Sequence, residues 1–304
     1  MSALIEIHDL RKSFRRKPAV DGLSLSVPQG AVTAFLGPNG AGKTTTIKCL
    51  LNLHRPDSGN ANVLGCDSRR LGPSQFAHIG YVSENMDLPL WMTVKQFFDY
   101  CRPLYPQWDT TFEKKLMKQF DLPLQVKLRD LSRGMRMKAA LLSSLAYRPK
   151  LVVLDEPFSG LDPLVRDEFI CGLLELTEEE GWTVFVSSHD IEEVQRLADR
   201  IAILNQGKLA LDETSSSLQA RFRKVGLVFD ELCKIPASLP ADWMHVEQAG
   251  RTLRFTTARF ENDAALEAAI REVLPSATHH ETRPMSLREI FLALARAYRL
   301  EGSH

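Results

Sequence analysis

Gly37-Pro38-Asn39-Gly40-Ala41-Gly42-Lys43-Thr44 matches the spacing G-x-x-x-x-G-K-[ST], and each residue type in it answers a need of phosphate binding. The glycines let backbone N–H groups converge on phosphate oxygens. Lys43 brings a point charge, Thr44 offers a hydroxyl to Mg²⁺, and a helix starting here, with Thr45 in its first turn, adds a positive N-terminal end. The motif implies binding of a nucleoside triphosphate and leaves the family open. A second constellation follows at Leu151-Val152-Val153-Leu154-Asp155-Glu156, an apolar run ending in two acids. If the run is a buried parallel strand, both carboxylates sit at its C-terminal edge, where ligands of open α/β sheets bind. Asp155 is then placed for Mg²⁺, and Glu156 for orienting and deprotonating the attacking water.

The elements around these residues can be read from periodicity. Ile5 and Ile7 alternate with polar residues, as do Leu23, Leu25 and Val27, which predicts two half-buried strands. Val32 to Leu36 is an apolar run leading into the glycine-rich turn, and a helical pattern follows from Lys43 to Leu53. Further on come a helical run from about Arg133 to Tyr147, the strand ending at Asp155, and another apolar strand from Thr183 to Val186. Alternation of strands and helices predicts an α/β fold with a mainly parallel sheet and a small antiparallel β subdomain beside it. The Ser215-Ser216-Ser217 run marks a domain end. The expected division is a nucleotide-binding part over 1–222, with a helical subdomain at about 86–148, and a small α/β extension over 223–304. The extension closes on an amphipathic helix containing Leu287, Ile290, Phe291, Leu294 and Tyr298.

Leu131-Ser132-Arg133-Gly134-Met135, shortly before the acidic strand, resembles the signature L-S-G-G-Q of ABC (ATP-binding cassette) ATPases. Ser159-Gly160-Leu161-Asp162 is similar to the D-loop of that family, and Ser187-Ser188-His189-Asp190 to its switch-histidine segment. Phe14 corresponds in position to the aromatic residue on which adenine stacks. The resemblance spans about Leu4 to Asp212, with the motifs in the family's order. It implies a P-loop NTPase fold whose helical subdomain carries the signature, ATP and Mg²⁺ as ligands, and an ATPase activity that needs two cassettes. On this reading Ser132 and the backbone near Gly134 meet the nucleotide held by a second cassette, Asp162 belongs to the nucleotide-binding set, and His189 senses the γ-phosphate. Arg133, Arg136 and Lys138 crowd a helix start, where cations oppose the dipole unless an anion docks there. His189 follows an apolar strand, which puts it at the same sheet edge as Asp155 and Glu156. The sequence departs from the family at Glu84, where a glutamine is usual and a carboxylate could still ligate Mg²⁺. Arg133 and Met135 replace the signature's glycine and glutamine, which points to a specialised subfamily that retains Lys43, Glu156 and His189.

Composition narrows what the ATP cycle drives. Lysine plus arginine and aspartate plus glutamate both number 38, so no net field draws the chain to nucleic acid, and no direct nucleic-acid partner is expected. Cys49, Cys66, Cys101, Cys171 and Cys233 are scattered without C-x-x-C spacing, which argues for thiols in a reducing cytosol. No signal peptide and no run of about 18 apolar residues is evident, so a membrane role requires another polypeptide. About ninety residues separate Lys43 from Ser132 without sustained heptads, and the phosphate loop occurs once. Both facts weigh against a chromosome-organising or ribosome-acting ATPase, the alternative class of soluble non-transport machine. The expectation is a cytoplasmic motor, peripheral on the inner face of the plasma membrane, bound to a separate transmembrane permease subunit and resembling exporters of small molecules, peptides or lipids. Between Trp91 and Trp108 aromatic residues are dense. They read either as the core of a helical subdomain or as a groove receiving a short helix of the membrane subunit. His279-His280 lack a third metal ligand nearby and read as a solvated pair.

Overall fold

A computed structural model describes residues 2–232, 234–236 and 238–301, the last four by backbone alone. Cys233 and the side chain of Tyr298, both named above, lie outside the described residues. The chain divides into two compact units, Met1–Asp212 and Glu213–His304.

In the first unit β1 (Ala3–Phe14) and β2 (Lys17–Pro28) pair antiparallel, with Ile5 opposite Val27 and Ile7 opposite Leu25. β3 (Val32–Leu36) leads into α1 (Lys43–Leu50), after which β4 (Ser58–Val63) and β5 (Cys66–Asp67) complete a four-stranded sheet in the order β2-β1-β4-β5. A short helix, α2 (Pro73–Phe76), precedes β6 (Ile79–Ser83). Three helices then follow, α3 (Val94–Cys101), α4 (Thr110–Gln119) and α5 (Arg133–Leu145). The chain returns through β7 (Leu151–Asp155), α6 (Pro163–Glu180), β8 (Thr183–Ser188), α7 (Ile191–Val194), β9 (Arg200–Asn205) and β10 (Lys208–Thr214). The second sheet has the order β10-β9-β3-β8-β7-β6, with parallel pairing from β6 across to β9. Every residue of β3, β7 and β8 is buried. Strands covered on both faces take continuous apolar sequence, which is why these runs were readable.

The inner face of the β1–β2 hairpin packs Ile5, Ile7, Leu23 and Leu25 onto Ile47 and Leu50 of α1 and onto Phe35 and Phe185 of the parallel sheet. This wedge holds the start of α1 against the sheet edge. Gly42, at φ 108°, precedes α1 in the left-handed region, and a Cβ there would lie 2.1 Å from the Ala19 carbonyl oxygen of β2. Only glycine fits both constraints.

The aromatic stretch resolves residue by residue. Phe97 and Phe98 are core, Trp91 is 68% exposed and Tyr100 57% exposed. Tyr105 stacks on buried Tyr147 at 3.9 Å between ring centres. Buried Glu113 on α4 accepts from the Trp108 indole at 2.5 Å and from the Arg102 guanidinium at 2.9 Å. The core reading therefore holds for Phe97, Phe98 and, through its stack on Tyr147, Tyr105, while Trp91 and Tyr100 stay at the surface.

In the second unit the Ser215 to Ser217 run forms the first turn of α8 (Ser215–Arg221), capped by the Thr214 hydroxyl. β11 (Arg223–Phe229), β12 (Trp243–Ala249), β13 (Thr252–Thr257) and, after α9 (Asp263–Val273), β14 (Ala277–Pro284) make an antiparallel sheet in the order β12-β13-β11-β14. Val225, Leu227, Leu253 and Phe255 pack on Leu266 and Ile270 of α9. α10 (Leu287–Glu301) buries Leu287, Ile290 and Leu294, the stripe expected from its periodicity.

α5 and α6 approach closely because Gly134 has no side chain; a Cβ there would lie 2.5 Å from Val165 Cγ1. Gly134→Ala is expected to lower stability by about 1–3 kcal/mol through overpacking, despite its better helix propensity. In a Val165→Ala background the same substitution should become neutral or stabilising by up to about 1 kcal/mol. Thermal unfolding of the two pairs measures the sign reversal, and a loss of equal size in both backgrounds would remove this contact as the cause.

Candidate functional site

Parallel pairing sets Ser83 of β6 beside Asp155 of β7 and Asp155 beside Ser187 of β8, with Leu36 of β3 beside Ser188. The residues just past these strands, Glu84, Glu156, His189 and Gly37, thus leave the sheet at one edge. The backbone N–H of Glu84 donates to the Asp155 carbonyl at 2.9 Å, and that of Gly37 to the Ser188 carbonyl at 3.3 Å.

Asp155 is buried, and its Oδ1 accepts from Ser187 Oγ at 2.7 Å and from Thr44 Oγ1 at 3.1 Å. Burial pushes its carboxyl above the usual range, against those two hydrogen bonds. Glu156 has φ 53°, in the left-handed region that a non-glycine residue rarely adopts. Its N–H donates to Ser187 Oγ at 3.0 Å, so one hydroxyl holds both acids. The conformation costs on the order of 1–3 kcal/mol and persists where surroundings impose it. Here it turns the Glu156 carboxylate toward α1: Oε1 lies 3.0 Å from Lys43 Nζ and Oε2 lies 2.8 Å from His189 Nδ1.

Lys43 is 5% exposed and also donates to the Gly37 carbonyl at 2.6 Å. α1 has no side-chain cap, so its first-turn N–H groups are free of such a competitor. The hydrogen bond to Glu156 raises His189 above the ordinary histidine value of 6.5, partial burial opposes this, and the charges of Glu156 and Glu193 add to it. Glu193, buried on α7, accepts from Ser188 Oγ, and burial pushes its own carboxyl up. Ser187 and Glu193 were not assigned roles from sequence. Ser187 was findable, since it stands in register with Asp155 on the neighbouring strand. Glu193 carried no signal beyond lying one helical turn past His189.

Lys43, Thr44, Asp155, Glu156 and His189 are brought together in this way. Gly37, Pro38, Asn39, Gly40, Ala41 and Gly42 form the turn before them, closed by the Ala41 N–H on the Pro38 carbonyl at 3.0 Å, and Thr45 falls in the first turn of α1. Phe14 is 45% exposed at the β1–β2 tip, opposite Lys17 and edge-on to the His54 ring at 5.5 Å. Lys17 is two residues from Ala19, the neighbour of Gly42.

The remaining residues have other contacts. Ser132 caps α5, accepting from the Met135 N–H at 3.2 Å, and Asp162 caps α6, accepting from the Val165 N–H at 3.0 Å. Glu84, read from sequence as a metal ligand, commits Oε1 to Ser159 Oγ at 2.8 Å and Arg133 at 2.7 Å rather than to the Thr44–Asp155 pair. Burial pushes Glu84 up, yet the Ser159 and Arg133 hydrogen bonds outweigh it and hold the carboxyl below its usual value. The Arg133 guanidinium lies over Gly160, where a Cβ would meet it at 2.8 Å. Lys138 pairs with Glu168 at 2.8 Å. Two of the cations expected to await an external anion are therefore satisfied within the chain.

Comparison with known proteins gives one coherent result. Residues 20–159 match a family model described as ABC transporter. The daunorubicin resistance ATP-binding protein DrrA3 of Streptomyces coeruleorubidus is 32% identical over 95% of each chain. The ABC transporter ATP-binding protein YtrB of Bacillus subtilis is 27% identical over 95% of this chain and 97% of its own. A solved ATP-binding subunit of an ABC transporter superposes with a TM-score of 0.64 at 25% identity, covering 71% of this chain and 92% of that one.

Two measurements follow from this geometry. The His189–Glu156 contact raises the folded-state value of the imidazole, so its stabilisation is complete below the ordinary 6.5 and is lost as pH rises through the raised value. NMR titration of His189 should give a midpoint above 6.5 that falls in Glu156→Gln; an unchanged midpoint would assign the shift elsewhere. For the partly exposed Glu84–Arg133 pair, a thermal double-mutant cycle with Glu84→Gln and Arg133→Gly should give a favourable coupling of about 0.5 kcal/mol, and zero coupling would show the contact to be energetically idle.

Proposed function

The chain belongs to the ABC transporter ATP-binding family, and from that premise we propose that two cassettes close on ATP, hydrolyse it, and drive a separate membrane subunit. The observation that carries this reading is the shared carboxylate of Glu156, held between Lys43 and His189 at the end of β7. Phosphate oxygens at the loop compete for Lys43, because the first-turn N–H groups and the lysine converge on them. Glu156, relieved of Lys43, becomes free to accept a proton from a water aimed at the γ-phosphate. His189 then stays near the transferring group as a polar sensor. Ser132, Gly134 and Asp162 complete the site of the opposite cassette.

Thr44 and Asp155 suit Mg²⁺, since a hydroxyl and a buried, partly uncompensated carboxylate are hard oxygen donors. The ion would supply positive charge against the phosphates. Glu84 would reach that shell after releasing Arg133.

A groove of about 300 Å³ beside α5, lined by Met86, Leu88, Leu90, Arg133, Arg136 and Met137, supports a helix-in-groove contact with the membrane subunit. No helix among the described residues is long and apolar enough to cross a membrane. The near full-length similarity to a drug-resistance ATP-binding protein favours export, with the cassettes on the inner face of the plasma membrane.

Glu156→Gln is expected to keep ATP binding, to slow turnover by about 10²–10⁴-fold, and to accumulate an ATP-dependent dimer. Sizing by light scattering with a phosphate-release assay checks both. Wild-type turnover in this variant would remove Glu156 as the base, and a monomer in the presence of Mg·ATP would remove the two-cassette site.

A further inference from the structure

The second unit has a core on one face of its sheet and a different surface on the other. Along β11 the residues Val225, Leu227 and Phe229 join the core with α9. Lys224, Gly226 and Val228 alternate with them and point to the opposite side. Register then builds a row across all the strands of that side: Glu247 of β12 opposite Arg254 of β13, Arg254 opposite Gly226 of β11, and Gly226 opposite Glu281 of β14. Glycine in a central strand weakens the strand and often marks a place where something else approaches the backbone. At Gly226 an added Cβ would meet nothing within 4 Å.

That gap is the floor of a cavity of about 510 Å³, within the range of sites that enclose small organic molecules. α10 forms its wall. Glu289, Leu292, Ala293 and Arg296 fall at i, i+3, i+4 and i+7 and share one helix face. His245, at φ 52° on β12, contacts the Ala293 carbonyl oxygen through Nε2 at 2.8 Å, which ties the wall to the sheet.

The charges lining the cavity divide into spent and unspent groups. Glu289 takes Arg283 at 2.6 Å, Lys224 at 3.1 Å and the Ser286 N–H at 3.1 Å. These contacts hold its carboxyl well below the ordinary range, the Arg283 hydrogen bond being the largest influence. Arg254 and Arg296 form no ion pair among the described residues, and neither do Glu247 and Glu281, although Glu281 stands in the field of Arg283. Opposite charges directly across neighbouring strands commonly pair; Glu247 and Arg254 stand in that relation without closing. These four groups are two guanidiniums against two carboxylates, beside apolar Met285, Leu292 and Ala293, while Lys224 and Arg283 share the one carboxylate of Glu289. A lone anion would meet the two glutamates, and a lone cation the two arginines.

We infer that the C-terminal unit carries a binding site of its own, for a small zwitterion joining a carboxylate and an ammonium on an apolar skeleton. Its carboxylate is held by Arg254 and Arg296, its ammonium by Glu281 on the other side of Gly226, and its skeleton by the α10 wall over Gly226.

Calorimetric titration of the full chain with the dipeptide leucyl-leucine tests this, alongside its N-acetylated and its C-amidated forms. The free dipeptide should bind, and blocking either end should weaken binding at least tenfold. Gly226→Val fills the floor with a residue of better strand propensity, and Arg254→Gln removes the carboxylate partner. Each should weaken binding at least tenfold with circular dichroism and ATPase rate unchanged. Should Gly226→Val misfold, Arg254→Gln and Glu281→Gln give the same reading on exposed positions. Absence of heat from the free dipeptide at millimolar concentration overturns the proposal, as does equal binding of a blocked form, or unchanged affinity in the folded variants.

Discussion

The geometry of the nucleotide site depends on one register: Ser83, Asp155 and Ser187 stand side by side across β6, β7 and β8. The segments that leave the sheet there leave one residue later, so Glu84, Glu156 and the His189 segment emerge from one row of strand ends. A slip of one residue on β7 would send the Asp155 side chain to the opposite face. The slip is prevented because the strands are buried on both faces and every position is fitted to helices or to the hairpin core. Ser187 extends the constraint to side chains, with one hydroxyl donating to Asp155 and accepting from the N–H of Glu156. The left-handed turn of Glu156 is thereby held by a bond that the register supplies.

Electrostatics at that edge work by sharing. Glu156 carries two partners, Lys43 and His189, and each also has another environment: the Gly37 carbonyl for Lys43, the field of Glu193 for His189. A group bound to several moderate partners can exchange one of them without being left as an uncompensated buried charge, which would cost several kcal/mol. The arrangement at Glu84 follows the same rule. Its carboxylate stands 2.7 Å from the guanidinium of Arg133. The two compensate each other in charge, so neither can be understood alone.

Much of this was legible in the sequence, and for identifiable reasons. β3, β7 and β8 are continuous apolar runs because both faces are covered, and the phosphate loop is legible because its glycines answer steric limits such as the Ala19 carbonyl against Gly42. Less visible was the partnership of Glu84 with Arg133, since residues forty-nine positions apart meet only through the packing of α5 beside β6. The spacing of Arg133, Arg136 and Lys138 suggested a helix end awaiting an anion, but counting charges along a helix cannot reveal a carboxylate brought in by another element. Glu168 on α6 and Glu84 after β6 are such carboxylates. The strands of the second unit were hidden for a related reason: β14 is mostly polar and exposed, and the apolar residues of β12 do not alternate with polar ones, so neither carries period-two contrast.

The signature glycine illustrates how one residue type serves two demands that sequence cannot separate. Gly134 is buried, and the lack of a Cβ lets α5 lie against Val165 at the start of α6. That same contact aligns two capped helix ends, Ser132 on α5 and Asp162 on α6, with their first-turn N–H groups partly satisfied by side chains. A helix end with its own cap has less unspent positive potential than a bare one, such as that of α1. In a two-cassette site the bare end of α1 would therefore do most of the binding of phosphate. The capped pair would contribute chiefly position, brought to the nucleotide as a single rigid corner because α5 and α6 cannot slide past each other.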